Sequence, residues 1–454
     1  MKGVSLNLQR MARAMGSVSQ SWEAIHVAGT NGKGSVCTYL SALCKRSNIH
    51  NGLFTSPYLV EPRDAINIDG VPILQRNYAR YRQQILDDQA LRTAEDGQGD
   101  VPTSRVLAPL TEFELVTMTA FTAFDDATID VGIVEVGLGG RLDSTNALRT
   151  KKVTVITKIG LDHQKMLGET LPEIAKEKAG IMMANVPCVV DGSNPPEVLE
   201  VFRQHALGVG APLYLTTDYR HLLEELYQSE VMPHQAQNMA CAITAFRLAF
   251  PEVKLSVAEA LPVMANALHR GRLSWLDVSR HFSSRKDKPF LVDGAHNPQS
   301  AGTLSAYVEK YVRQNDEPIS WVIAVSNQDG KDAQGMFRTL FRPDDKVACV
   351  AFRRRSTMPW VEPVEPLSLA KTIQTLGFTV RNFDESSIPS GTLAEGSSWA
   401  VQQNTPVLER LQHSSITLRL VCNASAKITT QFWCFPEDLL VEKHAFPRPK
   451  AMPT

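Results

Sequence analysis

The sequence predicts an α/β fold in two domains, each a largely parallel sheet covered by helices, and three observations carry that prediction. Short apolar runs recur that suit strands buried on both faces: "AIHVAG" at 24–29, "VGIVEVG" at 131–137, "VTVITKIG" at 153–160 and "PCVVDG" at 187–192, then "FLVDG" at 290–294, "WVIAVS" at 321–326, "KVACVAF" at 346–352 and "ITLRLVC" at 416–422. Helical patterns separate many of them, the alternation expected of crossover connections. The chain has 454 residues, more than one hydrophobic core usually serves.

Along the chain, "MKGVSLNLQRMARAMGS" is basic, with no acid before Glu23. It reads either as a first helix turning Leu6, Met11 and Met15 inward, which is favoured, or as a mitochondrial presequence. After the first strand, Val36, Leu40 and Leu43 give a buried stripe at helical spacing. "NYARYRQQILDDQALR" predicts a charged helix over 77–92, and "TAEDGQGDVPTSR" a loop or insertion over 93–105. "TLPEIAKEKAG" opens with a capping box, Thr170 to Glu173, and should stop at Gly180. The polar, basic stretch 271–288 marks a domain junction, placing the domains at 1–272 and 273–443, with 444–454 as a disordered tail.

Composition narrows the function. The net charge of −1 gives no global pull toward nucleic acid or anionic membrane. Seven cysteines with no CxxC pair suit reduced thiols in a cytoplasmic setting better than a disulfide framework or structural zinc. No apolar run approaches the ~18 residues of a membrane-spanning helix.

The densest chemistry lies in "IHVAGTNGKGSVCTYL", where a strand passes through Gly29, Thr30, Asn31, Gly32, Lys33, Gly34 and Ser35 into a helix. Glycines let a phosphate approach the backbone, amides of the turn and helix start face it, Lys33 neutralises β- and γ-phosphates, and Ser35 offers a hydroxyl near Mg²⁺. The spacing is not the standard P-loop, because Gly34 separates Lys33 from the hydroxyl residue. "GLGGRL" at 137–142 likewise fails the dinucleotide fingerprint, since Leu142 holds its third glycine position.

Other residues are locally ambiguous. Glu135 sits in an otherwise apolar strand and needs either a cation such as Arg141 or a metal; Mg²⁺ is content with one or two protein oxygens. His163 ends a strand-like run, where a structural hydrogen bond is the ordinary role. Lys178 falls in a last helical turn, where a cation is favourable in any case. Ser56 precedes proline, as turn residues often do. Phe113 is either a core residue or an aromatic face for a flat ligand. Nothing local marks Asn238, Arg272, Asp293 or His296.

Taken together and in order, "HVAGTNGKGS", "FTSPYLVEPRDAINIDG", "EFELVTMTAF", "VEVGLGGRLDSTN", "TKIGLDHQKMLGETLPEIAKEKAGI", "HQAQNMACA", "GR" at 271–272 and "DGAHN" resemble the Mur ligase superfamily. The resemblance is to its folate branch, dihydrofolate synthase and folylpolyglutamate synthase. "HVAGTNGKGSVCTYLS" and "FRRRSTMPW" look most like the fungal-type dihydrofolate synthases, and the polyglutamating relatives tend toward lysine where Asn31 stands. The resemblance implies an N-terminal P-loop-type ATPase domain and a smaller Rossmann-like domain that close around the reactants. It implies ATP and two Mg²⁺ ions, with Ser35, Ser56, Glu135 and His163 as ligands; an imidazole ligand would let Mn²⁺ substitute. It implies a carbamylated Lys178, adenine read by Asn238, phosphate met by Arg272, ribose held by Asp293, and His296 near the incoming amino acid. It further implies a pterin pocket lined by Ser56, Pro57, Phe113, Arg141 and Asp143.

The implied reaction ligates L-glutamate to 7,8-dihydropteroate through an acyl phosphate, in a monomer acting on small molecules without nucleic acid or membrane. The rival readings are glutamate extension of reduced folates and a nucleotide-binding paralogue with decayed activity. One departure stands out: after about Leu420 the chain reads "VCNASAKITTQFWCFPEDLL", where relatives carry a Gly-Ser pair and another helix.

Overall fold

Strand β1 (Glu23–Ala28) is buried at every position but its first, as the run of alanine and β-branched residues requires of a strand covered on both faces. The computed structural model describes residues 8–58, 60–96, 108–267, 269–276, 290–313, 315–326, 332–352, 361–380 and 407–411. The chain divides into two units, Met1–Ala267 and Leu268–Thr454.

In the first unit β1 is joined by β2 (Asn51–Phe54), β3 (Ile66–Ile68), β4 (Val71–Pro72), β5 (Val131–Glu135), β6 (Lys151–Ile156), β7 (Cys188–Val190) and β8 (Leu213–Leu215). Their order across the sheet is β4-β3-β2-β5-β1-β6-β7-β8, parallel from β2 to β8, with β3 and β4 running antiparallel at one edge. β2, β3, β4 and β8 lie outside the apolar runs read from the sequence.

Helix Lys33–Arg46 buries the expected Val36, Leu40 and Leu43 against one face, beside helices Pro233–Ala249 and Val257–Ala265. Ile174, Val198 and Phe202, from helices Leu171–Ala179 and Pro196–Val209, cover the other. Thr170 caps the first of these as expected, its hydroxyl accepting the Glu173 amide, and Gly180 ends it. Met11 and Met15 are buried at the N-terminal helix Leu8–Ala14 and the turn after it; Leu6 lies outside the described residues. Helix Gln75–Asp96 outruns its predicted end by four residues, since Thr93 to Asp96 carry no helix breaker. Most of the expected insertion, 97–105, lies outside the described residues.

The second unit holds β9 (Ser274–Leu276), β10 (Phe290–Asp293), β11 (Ser320–Ala324), β12 (Lys346–Cys349), β13 (Thr379–Val380) and β14 (Val407–Leu411), ordered β13-β12-β11-β14-β10-β9. Only β9 is antiparallel to its neighbour. β14 lies between β11 and β10 although Glu409 and Arg410 interrupt its apolar run, which hides it in the sequence. The strand expected at 416–422, the departure after Leu420, the tail 444–454 and residues 353–360 lie outside the described residues. Cys37, Cys44, Cys188, Cys241 and Cys349 are free and buried. No described helix is long and apolar enough to cross a membrane.

Candidate functional site

The order β2-β5-β1-β6 sends four loops out of one carboxyl edge side by side, where ligands gather in sheets of this kind. The loop after β2 carries Ser56 and Pro57; β5 ends on Glu135 and continues to Asp143; β1 leads into Gly29–Gly32; β6 leads to Asp162 and His163. Residues more than a hundred positions apart thus meet.

The glycines in the loop after β1 are required by space as well as by φ. Gly29 has φ 146° and Gly32 φ 94°. A Cβ would stand 1.9 Å from Thr157 Oγ1 at Gly29 and 2.2 Å from Asn238 Oδ1 at Gly32. The same closeness brings Asn238, unmarked in the sequence, to the helix start. The loop is stapled to the one after β6: Thr30 and Asn31 amides donate to the Lys158 carbonyl (2.9 and 3.1 Å), and Thr157 Oγ1 donates to the Asn31 carbonyl (2.8 Å). The expectation that the turn's amides face a ligand therefore fails at Thr30 and Asn31, whose amides are engaged. The helical ladder begins with Val36 N–H on Gly32 O (2.9 Å), so the amides of Lys33, Gly34 and Ser35 have no acceptor within the helix and remain to meet an anion.

Glu135 is 4% exposed and its Oε2 accepts the Ser56 amide at 3.0 Å. Lys33 Nζ lies 4.0 Å from Glu135 Oε1 and donates to the Thr30 carbonyl at 3.3 Å. Arg141, the alternative partner for this carboxylate, pairs instead with Glu177 at 2.9 Å on the surface. Lys178 does not serve its own helix end. Its buried Nζ reaches across to donate to the Gly29 carbonyl at 2.8 Å. Burial first, then the nearby Lys33 charge, pulls its pKa down to about 7, against the opposing influence of Asp162 and Asp143. His163 adopts φ 51° at the head of helix Gln164–Leu167, with Nε2 3.8 Å from Asp162 Oδ1.

Asp143 is committed inside its loop: Oδ2 accepts the Leu138 amide (2.8 Å), while Oδ1 accepts the amide (2.9 Å) and hydroxyl (2.5 Å) of Thr145. With its proton given to Asp143, Thr145 Oγ1 accepts from His26 Nε2 at 2.9 Å, tying this loop to β1. Burial, then the Lys151 charge, holds His26 well below the usual imidazole range, so it stays neutral. Phe113 packs over Gly137, where a Cβ would come within 2.3 Å of its ring, and lies 6.1 Å from the Phe54 ring. It is only half-buried, which leaves part of the ring available.

In the second unit, Asp293 ends β10 and accepts the Leu273 amide on Oδ2 (2.9 Å) and the Ala295 amide on Oδ1 (2.7 Å). The Arg272 guanidinium lies against Gly294, whose Cβ would be 2.2 Å from Nη1. His296 Nδ1 donates to the Gly294 carbonyl at 2.9 Å. Arg272, Asp293 and His296 thus form one cluster, which the sequence left scattered.

Among the described residues no group of three or more His, Cys, Asp or Glu side chains is set to hold a metal ion. A buried carboxylate beside Ser56, and Ser35 in the helix's first turn, nonetheless give the hard oxygen donors that suit a cation keeping waters and phosphate oxygens.

The C-terminal domain family of dihydrofolate synthetase matches residues 275–408. The chain is 34% identical over 397 residues to a probable dihydrofolate synthetase of Schizosaccharomyces pombe, covering 82% of this chain and 88% of that one. It is equally similar, 34% over 394 residues, to the dihydrofolate synthetase of Saccharomyces cerevisiae, covering 83% and 88%. Among solved structures it is similar to Mycobacterium tuberculosis folylpolyglutamate synthase complexed with ADP, with a TM-score of 0.70 at 26% identity, covering 91% of this chain and 92% of that one.

Proposed function

The chain belongs to the dihydrofolate synthase and folylpolyglutamate synthase family of ligases, and on that premise we propose that it joins L-glutamate to 7,8-dihydropteroate, giving 7,8-dihydrofolate, ADP and phosphate. The observation that carries this choice of acceptor is the likeness, over nearly nine-tenths of their length, to two yeast proteins, one named dihydrofolate synthetase and the other probable dihydrofolate synthetase.

A carboxylate does not acylate an amine at neutral pH, because its oxygen leaves poorly. The acceptor carboxylate attacks the γ-phosphorus of ATP, ADP departs, and the acyl phosphate formed carries a good leaving group. The glutamate amine then adds to the acyl carbon, and the tetrahedral intermediate expels phosphate and loses a proton to leave the amide. The protein's part is positioning and charge neutralisation. In this reading the amides of Lys33, Gly34 and Ser35 hold the phosphates and the Lys33 ammonium offsets charge at the β- and γ-positions. Asn238 reads adenine, Arg272 meets phosphate, Asp293 holds ribose and His296 lies near glutamate. Ser56, Pro57 and the open part of the Phe113 ring face the pterin, with Arg141 and Asp143 shaping the adjoining loop. Ser35, Ser56, Glu135 and His163 would hold magnesium, which supplies Lewis-acid neutralisation of the phosphates. Lys178 is carbamylated: its neutral amine adds to CO₂ and loses a proton, giving an anionic oxygen ligand beside Lys33.

Each acceptor supplied with ATP and labelled glutamate tests the assignment. Label should enter product with dihydropteroate; incorporation with reduced folates alone would transfer the assignment to polyglutamate extension, and no turnover with either would defeat it. Two further outcomes are expected. Gly32→Ala forces a Cβ onto Asn238 in a left-handed conformation, costing about 1–3 kcal/mol, and should weaken ATP binding about tenfold or more, read by titration with a fluorescent ATP analogue. Intact-mass measurement should find one added CO₂ on Lys178, absent from Lys178→Met. Because the amine titrates at about 7, the modification and the bicarbonate response should be present above that pH and fade below it, as protonation removes the nucleophilic lone pair.

A further inference from the structure

Helix Leu8–Ala14 packs against two elements of the acceptor pocket at once: the start of helix Glu112–Asp126, which bears Phe113, and the turn Ser144–Ala147 that follows Asp143. Its contact with the first is a buried ion pair. Arg10 Nη2 donates to Glu114 Oε1 at 2.8 Å, and Nε lies 3.1 and 3.0 Å from Oε1 and Oε2. The two side chains are only 9% and 4% exposed. Glu114 also closes the capping box of that helix: Oε2 accepts the Thr111 amide at 2.7 Å, and the Glu114 amide donates to Thr111 Oγ1 at 3.3 Å. One carboxylate therefore fixes the helical turn on which Phe113 stands.

The rest of the segment is anchored in the same direction. Arg92 Nη1, from helix Gln75–Asp96, donates to the Arg13 carbonyl at 2.9 Å. At the far end of the Phe113 helix, Asp125 accepts the Ser19 amide (2.7 Å), the Ser19 hydroxyl (2.9 Å) and Trp22 Nε1 (2.9 Å). Residues 10–22 thus hold helix Glu112–Asp126 at both ends. A buried ion pair adds little net stability over an apolar pair of the same volume, because both charges lose water. What a bidentate arginine does supply is direction, since its planar fork accepts the carboxylate in one geometry.

We propose that the N-terminal helix, through Arg10, is the positioning element of the acceptor pocket: it sets the angle of the Phe113 ring and the height of the Asp143 loop for a flat heteroaromatic acid, and leaves the phosphate loop untouched. This inference rests on the pocket assignment made above. It also makes the basic N-terminal segment part of the working enzyme, so a chain processed beyond Arg10 would lose acceptor affinity.

The test separates acceptor from nucleotide. In the full-length protein, Arg10→Ala should raise the KM and the calorimetric dissociation constant for dihydropteroate about tenfold, and leave the ATP KM within about twofold. Arg10→Lys keeps the charge without the fork and should fall between; it also serves if the alanine variant does not fold. Val198→Ala, a core truncation in helix Pro196–Val209, should lower the melting temperature without separating the two KM values. Equal changes in both KM values, or unchanged dihydropteroate binding in a folded Arg10 variant, would overturn the inference alone. Failure of the wild-type chain to bind dihydropteroate would instead overturn the acceptor assignment, and this inference with it.

Discussion

Lys33→Ala is expected to lose about 10²–10³-fold in kcat for phosphate release, the usual loss when one preorganised positive group is taken from a developing negative charge. The side chain is placed for this by three restraints. Gly32 turns left-handed and starts the helix, Lys33 is its first residue, and Nζ is held between the Thr30 carbonyl at 3.3 Å and Glu135 at 4.0 Å. The fold should survive, because the residue covers no core. The variant also removes the cation that, after burial, does most to lower the Lys178 pKa, so that value should rise and the neutral amine become scarcer at pH 7. On the proposed carbamylation of Lys178, the loss through Lys33 should be compounded there. Lys33→Arg should not restore it, since a planar fork does not replace a compact ammonium at the phosphates. Steady-state phosphate release alongside a thermal unfolding curve decides: near-normal turnover in a folded Lys33→Ala protein would remove the phosphate-loop assignment.

Asp345→Ala is expected to cost about 3 kcal/mol in the second unit, because the buried Ile319 amide and Trp321 Nε1 lose their acceptor and Arg313 keeps, among the described residues, only Glu309 (3.0 Å) and the Glu317 carbonyl (2.9 Å). Asp345 is fully buried and accepts from Arg313 Nη1 (2.8 Å) and Nη2 (3.0 Å), the Ile319 amide (2.8 Å), Trp321 Nε1 (2.9 Å) and the Arg342 amide (3.0 Å). The carboxylate joins the end of helix Pro298–Tyr311 to the start of β11 and the loop before β12. Burial raises its pKa, but Arg313 and the amides outweigh that and hold it below the usual carboxylate range. The sign follows. With the folded value below the unfolded one, near 3.9, this stabilisation is present above about pH 4 and is lost as the pH falls through the folded value. Urea denaturation followed by tryptophan fluorescence should show a lower midpoint in the variant at pH 7, and a smaller further loss on acidification than in the wild type. An unchanged midpoint would mean that Glu309 alone suffices to hold Arg313 and that the network around Asp345 adds no net stability.

Much of the local structure was legible because it is written in adjacent residues. Val36, Leu40 and Leu43 at helical spacing, the Thr170–Glu173 capping box and the apolar runs of β1, β5, β6 and β7 each depend on contacts a few residues apart. Arg141 illustrates the opposite case. Its charge and its place six residues after Glu135 made it a reasonable partner, yet the backbone turn between them sends it to Glu177 on a different helix. Lys178 read as an ordinary helix-end cation, and only the packing of that helix against the loop after β1 shows its amine on the Gly29 carbonyl. Arg10 carried no signal at all, since its partner lies 104 residues away.

By itself, the sequence determined the class of fold, the glycine turn that opens helix Lys33–Arg46 and the kinds of side chain available to the chemistry. The tertiary structure alone decided which of them meet. β5 enters the sheet between β2 and β1, and that order brings Ser56, Glu135, Lys33 and Lys178 to one edge. Local patterning sets which segments become strands and which face is buried, because it acts through neighbouring residues. Strand order is selected by burial summed over the whole domain, a quantity that no short stretch contains.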